Sequence, residues 1–198
     1  MGEWFRNADW DDDIEAAFDA RLKRARDKAQ YLNIQAYALL AVHPRAAARL
    51  CRRTIALNDP AQTARAGLYL GTALAVDGDL DGAISALEAS IEAQRLEPNH
   101  RTAAYLDQAL LVALAKRDDM YDIALERLEG EWALPISEQP LASLIAQALI
   151  GSERGQNVSA FARLALEILE QPDGDNADLP SCLSPAELRE RLTLAMKT

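Results

Sequence analysis

Asp77-Gly78-Asp79-Leu80-Asp81-Gly82, followed by Glu88, is the stretch whose residue types and spacing come closest to doing chemistry. Carboxylates at positions one, three, five and twelve with glycine at six are the donor set of a twelve-residue loop that wraps calcium in oxygen ligands, and Ile84 takes the apolar eighth place. Such a loop would keep Ala83 and Ile84 extended. Leu80, Ala83, Ile84, Leu87 and Ile91, however, fall at the spacing of a single helix face. One conformation excludes the other. The apolar stripe is the longer pattern and recurs at Tyr121, Ala124, Leu125 and Leu128 without the acidic set. The sequence therefore predicts a helix through Glu88 and no metal there.

Other reactive groups are sparse. His43 and His100 are the two histidines that could act as bases near neutral pH, and both stand beside turn formers, Pro44 and Asn99, with no nucleophile adjacent. Cys51 and Cys182 fit neither a disulfide framework nor a zinc pair, as expected of a chain from a reducing compartment. There is no phosphate loop, dinucleotide fingerprint or nucleophile elbow. Carboxylates are too numerous for any close pair to signify an acid–base couple. No catalytic residue, no cofactor and no enzymatic activity are expected.

The elements that position these residues repeat. Arg65 to Ile91 reads as two apolar helical patterns around a short acidic turn, with Leu70, Ala73 and Leu74 on one face of the first helix. Arg65, Tyr69, Leu70, Ala73 and Leu74 return 36 residues later as Arg101, Tyr105, Leu106, Ala109 and Leu110. Tyr31-Leu32 precedes Tyr69-Leu70 by 38, and Ile145, Ala148 and Leu149 follow Leu106, Ala109 and Leu110 by 39. A helical hairpin with two apolar stripes cannot bury them alone, so it stacks on copies of itself.

Leu70-Gly71, Gly78, Leu80, Ala83 and Leu87 resemble the signature of the tetratricopeptide repeat (TPR). Gly67 in place of a bulky residue, the late Pro98, and Asp107 in place of glycine depart from it. The resemblance implies an all-α fold, a right-handed superhelix of about four TPR-like hairpins with capping helices at both ends. It also implies that the first helices line an inner groove, so Arg65, Tyr69, Thr72, Arg101, Tyr105 and Gln108 become the expected partner-binding residues. Residues of the carboxylate-clamp subclass do not line up. The N-terminal Trp4-Phe5-Arg6-Asn7, Trp10, Ile14, Phe18 and Arg21-Leu22 are similar to small bacterial repeat proteins, some of which are immunity partners of toxins.

Residues 1–198 are expected to form a single TPR-like α-solenoid domain. Within it, 1–26 are the N-terminal cap and first helix, 27–170 the repeated hairpins, 171–183 a mobile loop and 184–198 a capping helix. Ala and Leu dominate over β-branched residues, which favours helix throughout. Asp11 is the expected N-cap of the first helix, with Trp4, Phe5 and Trp10 covering the open apolar end. Further helices are expected over 28–41, 45–57, 101–115, 141–150 and 158–169, with another ending near Gly130. Pro135 and Pro140 interrupt the array. Ser184-Pro185-Ala186-Glu187 is a capping box opening a helix whose Leu188, Leu192 and Met196 would cap the last repeat.

The net charge of −10 argues against wrapping nucleic acid and for solubility or a basic protein partner. From Arg21 to Arg53 the sign reverses, with nine Lys or Arg against Asp27 alone. Without interleaved aromatics these charges are expected to pair with acids on neighbouring helices rather than to bind RNA. No run is long and apolar enough for a membrane span, and the chain is expected in the cytoplasm. The functional expectation is a protein-binding module: an immunity protein masking a basic toxin domain, or an adaptor reading a peptide in its groove, with a calcium-binding protein or an enzyme built on the same helices as the lesser alternative.

Overall fold

In a computed structural model of the chain, residues 3–130, 135–171 and 183–197 are described, and among them every regular element is helical. The helices are α1 Asp12–Leu22, α2 Lys28–Leu39, α3 Pro44–Ala56, α4 Pro60–Val76, α5 Leu80–Leu96, α6 Ala104–Leu114, α7 Tyr121–Glu129, α8 Leu141–Glu153, α9 Ser159–Glu170 and α10 Pro185–Ala195. The recurring first-helix residues Tyr31, Tyr69, Tyr105 and Ile145 fall on α2, α4, α6 and α8. The chain divides into two compact units, Met1–Ala104 and Tyr105–Thr198. No described helix is long and apolar enough to cross a membrane.

In the first unit, consecutive helices from α2 to α5 pack on one another and α2 also meets α4. Local chemistry sets each end. The Asp11 carboxylate accepts the Ile14 N–H at 2.8 Å, and three acids in the first turn of α1 suit the positive end of its dipole. Asn58 adopts a left-handed φ of 51°, ending α3, and Asp59-Pro60 restarts the chain as N-cap and first residue of α4. Gly78, at φ 88°, closes the turn after α4 while the Asp79 N–H returns to the Leu74 carbonyl at 2.9 Å. Asp79 then caps α5 through the Gly82 N–H at 2.9 Å.

Two glycines let α4 and α5 meet closely. A Cβ on Gly71 would stand 2.6 Å from Leu87 Cγ, and one on Gly67 would stand 2.8 Å from Ser90 Cβ and 3.0 Å from its Cα. Gly67, a departure from the repeat pattern, is thus where the α5 backbone comes nearest, and Ser90 Oγ donates across to the Ala64 carbonyl at 2.6 Å. The core runs through Phe18, Leu32, Leu39, Leu50, Cys51 and Leu70. Trp4 and Phe5 seal it as expected, with ring centroids 5.0 and 4.9 Å from Tyr31, and Trp10 lies 5.6 Å from Phe18. Buried Gln35 fastens this arm. Its Oε1 accepts from the backbone N and Nδ2 of Asn7, and its Nε2 donates to the Asn7 carbonyl at 2.8 Å.

The second unit starts differently from expectation. The helix expected over 101–115 begins only at Ala104. The Thr102 N–H is taken by Gln94 Oε1 at 2.6 Å, and Thr102 Oγ1 accepts from the Ala104 N–H, so Thr102 caps α6 and Arg101 stands outside it. A core of Leu110, Leu141, Leu144, Ile145, Leu169 and Leu192 joins α6, α8, α9 and α10. Pro135 precedes a single 3-10 turn, Ile136–Glu138, and α8 starts directly after Pro140. On α10, Leu188, Leu192 and Ala195 are buried whereas Met196 is 39% exposed, so the apolar face runs through 195 and not 196. The expected mobile loop falls almost wholly on 172–182, outside the described residues, as do Cys182 and 131–134.

Candidate protein-binding surface

The face where α2 meets α4 is built from polar and aromatic pairs. One turn into α2, buried Asn33 donates from Nδ2 to the Gln62 carbonyl at 3.1 Å and to its Oε1 at 3.0 Å, fixing the two helices in register. One turn further, Tyr37 lies against Tyr69, centroids 5.3 Å apart and planes tilted 41°. Tyr37 is 63% exposed, an uncommon position for a large aromatic that packing alone placed there. Tyr69 is half-buried, and burial pushes its phenol above the ordinary value while the nearby Arg65 guanidinium opposes the rise.

Of the expected binding residues, α4 carries Arg65, Tyr69 and Thr72 at the i, i+4, i+7 spacing of one face. Arg65 is exposed, and Thr72 spends its hydroxyl on the Leu68 carbonyl of its own helix at 3.1 Å. The other three depart from the parallel drawn on sequence. Arg101 is exposed but precedes α6 and so is no helical counterpart of Arg65. Tyr105 is half-buried, its phenol raised by burial. Gln108, expected at the surface, is 1% exposed, and its Oε1 accepts from the Arg127 guanidinium.

Tyr37 escapes a reading based on repeats because the residue 38 positions later is Ala75. Its signal lies within α2: an aromatic four residues after a polar side chain that is itself engaged with the next hairpin.

The basic stretch pairs with acids on other helices, in part. Arg45 meets Asp77 at 2.9 Å, Arg49 meets Glu15 at 2.9 Å and Arg53 meets Asp19 at 2.6 Å. Arg21, Lys23, Arg24, Arg26, Lys28 and Arg52 are exposed and form no ion pair among the described residues.

The residues of the calcium-loop pattern are otherwise occupied. Asp77 pairs with Arg45, Asp79 caps α5, and Ala83 and Ile84 are helical and buried. The helix takes precedence over the extended loop that ligation at Glu88 requires. His43 is half-buried at the wall of an open cavity of about 380 Å³ lined also by Trp10, Glu15, Arg49 and Asp77, of which Glu15 pairs with Arg49 and Asp77 with Arg45. His100 is exposed in the turn before α6. Cys51 is buried, and burial pushes its thiol up to about 12, which makes it inert rather than reactive.

No protein-family model matches the chain, and no curated protein or solved structure is significantly similar to it.

Proposed function

We propose that the chain is a non-enzymatic protein-binding module, built of TPR-like hairpins in a right-handed superhelix, working in the cytoplasm of a bacterium. The observation that carries protein binding is the Tyr37–Tyr69 pair with Arg65 beside it. Tyr and Arg dominate interface energetics, because each offers broad apolar contact and a polar end at small entropic cost. Here one ring is anchored in the protein and the other stands open.

In its most specific form the partner is a toxin with a basic active cleft, neutralised by being covered. The charge of residues 105–198 supports that sign: sixteen Asp or Glu against eight Lys or Arg, whereas residues 1–104 hold fifteen against thirteen. The second reading is an adaptor that holds a peptide along the first helices, and it is favoured by the position of the tyrosine pair on α2 and α4.

Titration calorimetry against the product of the adjacent gene tests both. Immunity predicts a one-to-one complex that abolishes the toxin's activity and is weakened about tenfold or more by Glu126→Lys with Glu129→Lys, both exposed acids of α7. An adaptor predicts the larger loss from Tyr37→Ala with Tyr69→Ala. A catalytic turnover by the isolated chain would defeat either reading.

A further inference from the structure

We propose that the basic corner where α1, α2 and α3 meet is a second interaction site, one that takes an acidic protein segment with an apolar side chain beside its carboxylates. The end of α1, the start of α2 and the end of α3 enclose an open cavity of about 380 Å³, the size of a small-ligand pocket. Leu22 and Leu32, both almost wholly buried, form its recessed floor, and Leu57, 48% exposed, forms one wall. Lys23 and Lys28 stand at its rim.

Charge names the occupant. Between Arg21 and Lys28 there are five cations and a single acid, Asp27, and none of the five cations forms an ion pair among the described residues. The carboxylate in the cavity wall, Asp19, is already neutralised by Arg53 at 2.6 Å. Asp27, at the N-cap of α2, makes no side-chain cap bond. The floor selects against the other anionic partners. A bilayer is engaged by several protruding apolar side chains, and here Leu57 alone of the cavity's leucines is exposed, Leu22 and Leu32 being recessed; a nucleic acid is engaged by stacking, and the cavity has no aromatic among its described lining. A leucine or phenylalanine flanked by glutamates satisfies both floor and rim. This corner is separate from the Tyr37–Tyr69 face, takes a partner of the opposite charge to a basic toxin, and does not rest on that reading.

The test is selection of a random twelve-residue peptide library, displayed on phage, against the full chain and against Lys23→Gln with Lys28→Gln. Expected are sequences joining Asp or Glu to Leu, Ile or Phe, recovered on the parent chain and lost on the variant. Titrated as a synthetic peptide, the most enriched sequence should bind about fivefold more weakly to the double variant and about tenfold more weakly to Leu57→Asp. Both variants alter exposed positions, and circular dichroism verifies that they fold. Absence of enrichment, enrichment of basic sequences, or binding indifferent to all three substitutions overturns the proposal. So does retention of the chain by phosphatidylserine vesicles when no acidic peptide is recovered, which would assign the corner to a lipid surface.

Discussion

Where α4 crosses α5, Gly67 and Gly71 bring one helix against the backbone and side chains of the other; 36 residues on, the sequence has Ala103, exposed and outside any helix, and Asp107 on α6. The second unit compensates with side chains that reach. Arg127 donates to Gln108, Arg154 pairs with Asp122 at 2.7 Å while lying 5.6 Å from the Tyr121 ring, Lys116 meets Glu153 at 2.6 Å, and Arg191 donates to the Leu114 carbonyl. One repeating pattern is therefore closed in two ways. Close approach through missing side chains is insensitive to salt but intolerant of any added carbon. The exposed ion pairs among these, Arg154–Asp122 and Lys116–Glu153, tolerate substitution and contribute roughly 0–1 kcal/mol each, screened by salt.

That contrast is most sharply broken at Gly67. Gly67→Val forces a branched side chain into Ser90 and should cost about 3 kcal/mol in urea unfolding, whereas Ala103→Val, at an exposed position outside any helix, should stay within about 0.5 kcal/mol. Equal effects would remove the distinction. Next in size is Gln35→Ala. It strips three hydrogen bonds from Asn7 and should lower stability by about 2 kcal/mol, with a red shift in tryptophan emission as Trp4 and Trp10 gain water. An unchanged spectrum would show that the aromatic contacts alone hold the arm.

Helix caps sharpen the comparison at smaller scale. Asp79→Ala removes a 2.9 Å cap from α5 and should cost about 1 kcal/mol, and Ser184→Ala, whose bond to the Glu187 N–H is 3.5 Å, about half that. Melting temperatures of the two variants order them. The smallest effect at neutral pH concerns Cys51. Its folded pKa lies above its unfolded one, so the associated stability is complete below about pH 9 and is lost as pH rises toward 12. In a Cys182→Ser chain, the thiol reagent DTNB at pH 8 should leave Cys51 unmodified until urea unfolds the protein. Prompt reaction would mean that the first core opens readily.

Much of this was legible because it is local. The α5 stripe and the caps at Asp11 and Ser184 each depend on residues within a few positions, and the chemistry of those residues decides them. The rest depended on partners distant in sequence. The late start of α6 follows from Gln94 capturing the Thr102 amide. The burial of Gln108 follows from Arg127, nineteen residues on. The choice of Ala195 over Met196 follows from the i, i+4, i+7 phase of α10. Of the expected binding residues, those of α4 held their common face, since helical spacing alone puts them there. Arg101 and Gln108 did not, because a shift of 36 residues transfers sequence but not neighbours. Tyr37 was invisible to a repeat and plain once α2 was seen beside α4.

The clasp between Asn7 and Gln35 spans 28 residues. During synthesis it can therefore close as soon as α2 has emerged from the ribosome, before residues 105–198 have left it. The tryptophan-bearing arm would then shield Phe18 and Tyr31 from other nascent chains during the seconds when α1 and α2 have no later hairpin to lean on.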